Sequence, residues 1–418
     1  MNNTELNENL KKLLDHLDSV KDTLPMVLLM LNPYAEKASS SLKEFIEENV
    51  EETKNKEGET EIQVNPEHSR ILIQLFKNSK ISKLAYKLIP QSLFVTLISQ
   101  YDAYLNELLK ILFKIRPEYI NNSDRELSFS ELNEFESIEK AREYIVEKEI
   151  ETVLRKSHNE HFIYLEKKLS IPLRKELPIW KTFIEITERR NLLVHCDGVV
   201  SSQYIKVCKE NKCLDKEIKL NQKLSVDLEY FLNAYKCLYE ISTKLTHTIW
   251  RKLIIEDLKE ADTNLNHICY DLITTKQFEL ADLLLDFSLK QKKHYSDFSK
   301  NLFVVNKALS QYLQGNKENA VVIINSKDWS ASSDDFKLGH LVITEKNEEV
   351  YELMKKIGTN GEVKKEDYKS WPLFHLLREN EDFKNTFKEI FNEDYKVIEL
   401  PKRPVHEFME EFDKKEIK

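Results

Sequence analysis

Groups able to do chemistry are concentrated in one short run, Glu188-Arg189-Arg190-Asn191-Leu192-Leu193-Val194-His195. Arg190 and His195 stand in an R-x4-H spacing, with Asn191 directly after the Arg. On a helix that turns 100° per residue, Asn191 and His195 fall one turn apart on the same face. Arg190 is offset from that face, but its side chain is long enough to curl toward it. The patch therefore offers a fixed cation, a polar amide and an imidazole, the side-chain type that exchanges protons near neutral pH. Those are the parts needed to cut RNA without a metal. The 2′-OH must lose a proton to attack the adjacent phosphate, and the 5′ oxygen must gain one on leaving. Negative charge builds on phosphoryl oxygens in the transition state, where an Arg can contact two of them and stays charged.

The elements that must position these groups are helical. Pro172 and Pro178 bracket a short connection, after which a helix is expected from about Ile179 to Asp197, stopped by Gly198. An earlier helix is expected to begin at Pro90. Its Leu93, Leu97, Tyr101, Leu105, Leu108 and Leu112 form one continuous apolar face, and it ends before Pro117. Ser137 to Leu169 gives another helical stretch. Ser202 to Lys209 alternates polar and apolar, and Glu217 to Leu220 does so more weakly, which predicts a small β-hairpin. A further helix starts at Ser225-Val226-Asp227 and continues through Trp250. At the N-terminus Leu6, Leu10, Leu13, Leu14 and Leu17 recur at helical spacing, and the acid-rich run from Glu44 to Glu61 is expected to be a solvated helix end and loop.

After about residue 260 the pattern changes to short helix pairs. Lys276-Gln277-Phe278-Glu279-Leu280-Ala281 and Gln314-Gly315-Asn316-Lys317-Glu318-Asn319-Ala320 repeat one junction, with Asn347-Glu348-Glu349-Val350 as a degenerate third copy. This period signals an α-solenoid and resembles tetratricopeptide repeats, although the usual early Trp and Tyr positions are not kept. Trp371-Pro372-Leu373-Phe374, Phe383, Phe387 and Phe391 are expected in the solenoid core or its capping helix, with a peptide groove as the alternative.

The R-x4-H motif with its Asn, at a helix end in an all-α setting, resembles HEPN domains (higher eukaryotes and prokaryotes nucleotide-binding). The helix containing Gln100-Tyr101-Asp102-Ala103-Tyr104-Leu105 and the segment Asp197-Gly198-Val199-Val200 are similar to the MAE and RiboL-PSP-like branches. The resemblance covers about residues 85–255. It implies a metal-independent endoribonuclease acting by 2′-OH transesterification, an antiphage, abortive-infection or toxin effector. Arg190 and His195 are then the catalytic pair, Asn191 their polar support and Asp102 an acidic residue from the first core helix. It also implies a homodimer in which two motifs share a composite cleft. Asp197 stands where the toxin branch has a Tyr, so modification of such a Tyr is not expected here. The expected architecture is all-α: an N-terminal helical extension (1–84), a HEPN bundle with a small β-hairpin insertion (85–255) and a TPR-like solenoid (256–418) that receives a protein partner or regulator. The competing reading is a non-catalytic HEPN/TPR-like interaction or RNA-binding scaffold.

Composition bounds these readings. With 6 Gly and 10 Pro in 418 residues, few turns call for a left-handed residue, which favours long helices over many short strands. A net charge of −9 excludes a generally basic nucleic-acid coat, yet residues 174–223 hold eleven Lys and Arg against seven Asp and Glu, a local setting suited to RNA phosphates. No apolar run reaches the roughly 20 residues of a membrane span. The chain opens without a signal-peptide pattern, so a cytoplasmic setting with reduced thiols is expected for Cys196, Cys208, Cys213, Cys237 and Cys269. No cofactor is expected, since there is no Walker A loop, Rossmann fingerprint or H-E-x-x-H. No metal is expected either: Cys196, Cys208 and Cys213 match no zinc knuckle, and His158 and His161, three apart, are expected on the surface. Arg190 paired with Glu188 or Asp197, with His195 capping the helix, is the non-functional alternative.

Overall fold

The computed structural model describes residues 2–54, 60–122, 126–175 and 177–398. The fold is all-α. Among the described residues the only sheet is an antiparallel pair, β1 (Val50–Lys54) and β2 (Thr60–Val64), with Val50 opposite Val64. It joins two long helices, α1 (Asn2–Asn49) and α2 (Pro66–Ile115). Contacts divide the described residues into two compact units: Glu8–Ile241, and 242–398 with the start of α1.

In the first unit, α1 and α2 are followed by α3 (Phe129–Leu132), α4 (Ile138–Leu154), α5 (His158–Leu169), α6 (Trp180–His195), α7 (Ser202–Glu210) and α8 (Leu228–Leu253), the last of which spans the boundary between the units. The apolar face expected on α2 is buried: Leu97, Tyr101, Leu105 and Leu108 are all 0% exposed. Three differences from the sequence expectation stand out. First, residue 84 is no boundary. Helix α2 starts at Pro66 and passes through Pro90, while α1 buries Leu10, Leu13, Leu14 and Leu17 in the same unit. Hydrogen bonds from Asn9 Nδ2 to Tyr104 O (3.1 Å), between His16 Nδ1 and Gln100 Oε1 (2.6 Å), and from Tyr235 Oη to Asp18 Oδ1 (2.5 Å) tie α1 to α2 and α8. The missing N–H of Pro90 breaks one helical hydrogen bond but leaves the packing on both sides in place. Likewise the second boundary falls inside α8 rather than after residue 255.

Second, no β-hairpin occupies 202–220. Ser202–Glu210 is helix α7, capped by Ser201, whose Oγ accepts from Tyr204 N. Tyr204 (1% exposed) and Cys208 (0%) lie one turn apart on it and pack with Leu192, Val200 and Leu224. The alternation was a short helical face read at the wrong period. What remains of β pairing here is a single antiparallel bridge, Val199 to Lys223. Third, Ser137–Leu169 is two helices, because Ser157 and Glu160 form a capping box that starts a new one. Glu160 Oε2 accepts from Ser157 N at 2.9 Å, and Ser157 Oγ accepts from Glu160 N.

The second unit contains α9 (Leu258–Thr274), α10 (Phe278–Leu289), α11 (Asp297–Leu313), α12 (Lys317–Asn325), α13 (Asp334–Ile343), α14 (Asn347–Ile357), α15 (Lys365–Ser370) and α16 (Glu381–Phe391). One turn geometry recurs three times. Lys276, Gly315 and Glu345 have φ of 59°, 85° and 58°. The next residue of each donates its N–H back to the preceding helix, Gln277 to Leu272 O, Asn316 to Gln311 O and Lys346 to Leu341 O, at 2.8–3.0 Å. Ala281, Ala320 and Val350, four residues further on each time, are 0% exposed. Leu373, Phe374, Phe383 and Phe387 are also fully buried, so that aromatic run is core.

Candidate functional site

The site lies wholly in the first unit. Helix α6 carries most of it. Phe183, Ile186 and Thr187 face the core, which turns Arg190, Asn191 and His195 toward a cleft of about 540 Å³, within the range of small-ligand sites. The helix end is sharply fixed. Cys196 N and Gly198 N both donate to Leu192 O (2.8 and 3.0 Å), and Asp197 and Gly198 take φ of 49° and 76°. Gly198 O accepts from Leu224 N at 2.9 Å, and a Cβ on Gly198 would lie 2.8 Å from Leu224 O. Glycine is required by conformation and by space, and it sets where His195, the last residue of α6, stands.

Arg190, Asn191, His195 and Asp102 all line this one cleft. Asp102 comes from α2. Its Oδ2 accepts from Arg190 Nη2 at 2.9 Å. Arg190 Nη1 donates to Asn191 Oδ1 at 3.2 Å, which is the curl toward the Asn191 face that the spacing required. The Arg190 partner is therefore Asp102, neither Glu188 nor Asp197; Asp197 pairs with Lys223 instead. His195 is exposed at the cleft wall. The neighbouring Arg189 is engaged elsewhere: it donates to Glu185 Oε1 (2.8 Å) and stacks 4.0 Å from the Tyr230 ring, while Tyr204 and Tyr230 hydroxyls donate to the same carboxylate.

Two further histidines belong to the cleft. His158 and His161 are 7% and 3% exposed, not surface residues, and both line the cleft. As the first residue of α5, His158 packs against Tyr101 and Phe183 and places Nε2 2.8 Å from Asp102 Oδ1. Asp102 thus bridges Arg190 and His158, one carboxylate oxygen to each. The ring of His161 stands 5.1 Å from that of His158, and both its nitrogens are sealed from solvent without a hydrogen-bond partner. Burial first, and the neighbouring His158 second, lower its pKa to about 4, so it is neutral at physiological pH. Glu188, 8% exposed, is not the ion-pair partner of Arg190 that its position two residues away suggests. It faces the same cleft, and burial raises its carboxyl pKa. The sequence Ser157-x-x-Glu160 was the available signal that His158 opens a helix.

Around the rim, Arg155 and Lys156 add cations from the turn between α4 and α5. Among the described residues no group of three or more His, Cys, Asp or Glu is placed to hold a metal ion, and all five cysteines are free. Chemically, the cleft can hold an anion on Arg190, exchange protons through imidazole, and orient both by the Asp102 carboxylate. No family model, curated protein or solved structure matches the chain.

Proposed function

We propose that the chain is a metal-independent endoribonuclease that cleaves RNA by 2′-OH transesterification, and that it acts as an antiphage, abortive-infection or toxin effector. The observation that carries this reading is the gathering of Arg190, Asn191 and His195 with Asp102 in one cleft, fixed by the 2.9 Å Arg190–Asp102 pair. That pair leaves further N–H groups on both terminal nitrogens of Arg190 to meet phosphoryl oxygens. His195, at the open wall, is placed to move a proton to or from a bound phosphodiester. The effector role and a homodimer joined through the HEPN-like bundle come from the sequence resemblance. The helical pairs of the second unit, TPR-like in sequence, serve as the arm for a partner or regulator. Their groove of about 300 Å³, lined by His267, Tyr270, Phe298, Asp335, Glu362 and Trp371, supports that role.

A non-catalytic scaffold is the second reading, favoured by the same ion pair, since a guanidinium already held by Asp102 is also a structural bridge. Incubation of purified protein with RNA in EDTA separates the two. The expected result is cleavage to 2′,3′-cyclic phosphate and 5′-hydroxyl ends, resistance of DNA, and loss of cutting in Arg190→Ala and His195→Ala chains that remain folded. Cleavage that persists in both variants, or intact RNA with the unsubstituted chain, refutes the ribonuclease reading.

A further inference from the structure

We propose that His158 is the second proton-transfer residue of this site, the general base that works with His195 as general acid, so that one chain supplies both. The assignment rests on the ribonuclease reading and adds to it a residue outside the R-x4-H motif. His158 Nε2 lies 2.8 Å from Asp102 Oδ1. A carboxylate paired with Arg190 only accepts hydrogen bonds, so the ring proton of neutral His158 sits on Nε2 and Nδ1 carries the lone pair. His158 itself lines the cleft beside Arg190, Asn191 and His195. Asp102 from α2 faces Nε2 and holds Arg190 on its other oxygen, and Glu188 from α6 and the cations Arg155 and Lys156 line the same cleft. Tyr101 and Phe183 pack against the ring, and the adjacent His161 is neutral.

The step balances within one chain. Nδ1 of His158 takes the 2′-OH proton as the O2′–P bond forms. The P–O5′ bond breaks, and O5′ takes a proton from His195 in its protonated form. Arg190 meets the charge on the non-bridging oxygens. The products are a 2′,3′-cyclic phosphate and a 5′-hydroxyl, and exchange with water returns both histidines to their starting forms. A dimer then holds two whole sites and not one shared site, which departs from the composite cleft implied by the family resemblance.

Single-turnover cleavage in EDTA tests this with His158→Gln and His195→Ala, on ordinary RNA and on RNA whose 5′ leaving oxygen is replaced by sulfur, which departs without protonation. His158→Gln should lower the rate roughly 10²–10⁴-fold and abolish the rising acid-side limb of the pH–rate profile. His195→Ala should abolish the alkaline-side limb. The sulfur substrate should restore His195→Ala and leave His158→Gln slow. A His158→Gln chain with the wild-type rate and both limbs, or one restored by sulfur, overturns the assignment. The unsubstituted protein gives an independent measure that does not depend on how a variant folds. Its rate per chain should hold constant on dilution to monomer, and a collapse there overturns the single-chain site. Cleavage that needs Arg190 and His195 but not His158 overturns only this inference. A wild-type chain that leaves RNA intact overturns the ribonuclease reading and this one with it.

Discussion

Replacing Asp102 by Asn keeps the size of the side chain and removes one lone-pair acceptor, which makes it the sharpest probe of the cleft. The carboxylate holds Arg190 through Oδ2 at 2.9 Å and His158 through Oδ1 at 2.8 Å. An amide cannot accept from both. If its oxygen keeps Arg190, its NH2 faces Nε2 of His158 and drives the ring proton to Nδ1, at the cleft. If its oxygen keeps His158, an NH2 faces the guanidinium, donor against donor. Hydrogen bonds to charged groups contribute about 1.5–3 kcal/mol each. The Asp102 and Arg190 side chains are 30% and 24% exposed, so water replaces part of that interaction. A net loss of about 1–2 kcal/mol follows, a fall in Tm of roughly 2–8 °C for a unit of this size. The effect on the reaction is larger, because losing the base tautomer removes about 10²–10⁴-fold in rate. Asp102 acts through His158 and Arg190, the two groups it holds. Thermal unfolding, imidazole nitrogen shifts and single-turnover cleavage read the three consequences separately. A variant that keeps the wild-type rate with His158 still protonated on Nε2 refutes the bridge as the positioning device.

Two further outcomes follow from the same unit. Gly198→Ala meets Leu224 O at 2.8 Å in a left-handed conformation, and the 2.9 Å bond between Leu224 N and Gly198 O prevents the backbones from parting; a loss of about 2–3 kcal/mol is expected, with reduced cleavage because the α6 terminus shifts, and an unchanged Tm would refute the account of this helix end. His161→Leu tests burial: a base whose pKa is lowered from 6.5 to about 4 on folding gives stability that is complete above pH 6.5 and is lost as pH falls toward 4, about 3 kcal/mol in all, so the difference in unfolding free energy between variant and wild type should move by that amount across this window, whereas a difference that stays constant with pH would show that folding leaves the His161 pKa unchanged and refute the burial account.

Much of the helical frame was legible because it is encoded locally. The α6 span, its stop at Gly198, the buried face of α2 and the repeated turns near Lys276 and Gly315 all follow from spacing and from residues with strong backbone preferences. The failures were also local in origin. Ser202–Lys209 carries too few residues to separate a period of 2 from one of 3.6, and burial of Tyr204 and Cys208 decided it as a helix. Pro90 reads locally as a helix start, but proline only weakens a helix that packing holds on both sides.

By itself the sequence determined the composition of half the cleft. Arg190, Asn191 and His195 share one helix, so their relation is set by the 100° step and needs no other part of the chain. Only the tertiary structure decided the other half. Asp102 is 88 residues from Arg190 and 56 from His158, separations at which no periodicity operates. Which carboxylate meets the guanidinium, Asp102 or Glu188 or Asp197, depends on how α2, α5 and α6 pack through Tyr101, Phe162 and Phe183. The same packing turned two histidines expected in water into cleft residues, because a capping box and an aromatic core, not hydropathy, fix where a helix begins and which side of it faces inward.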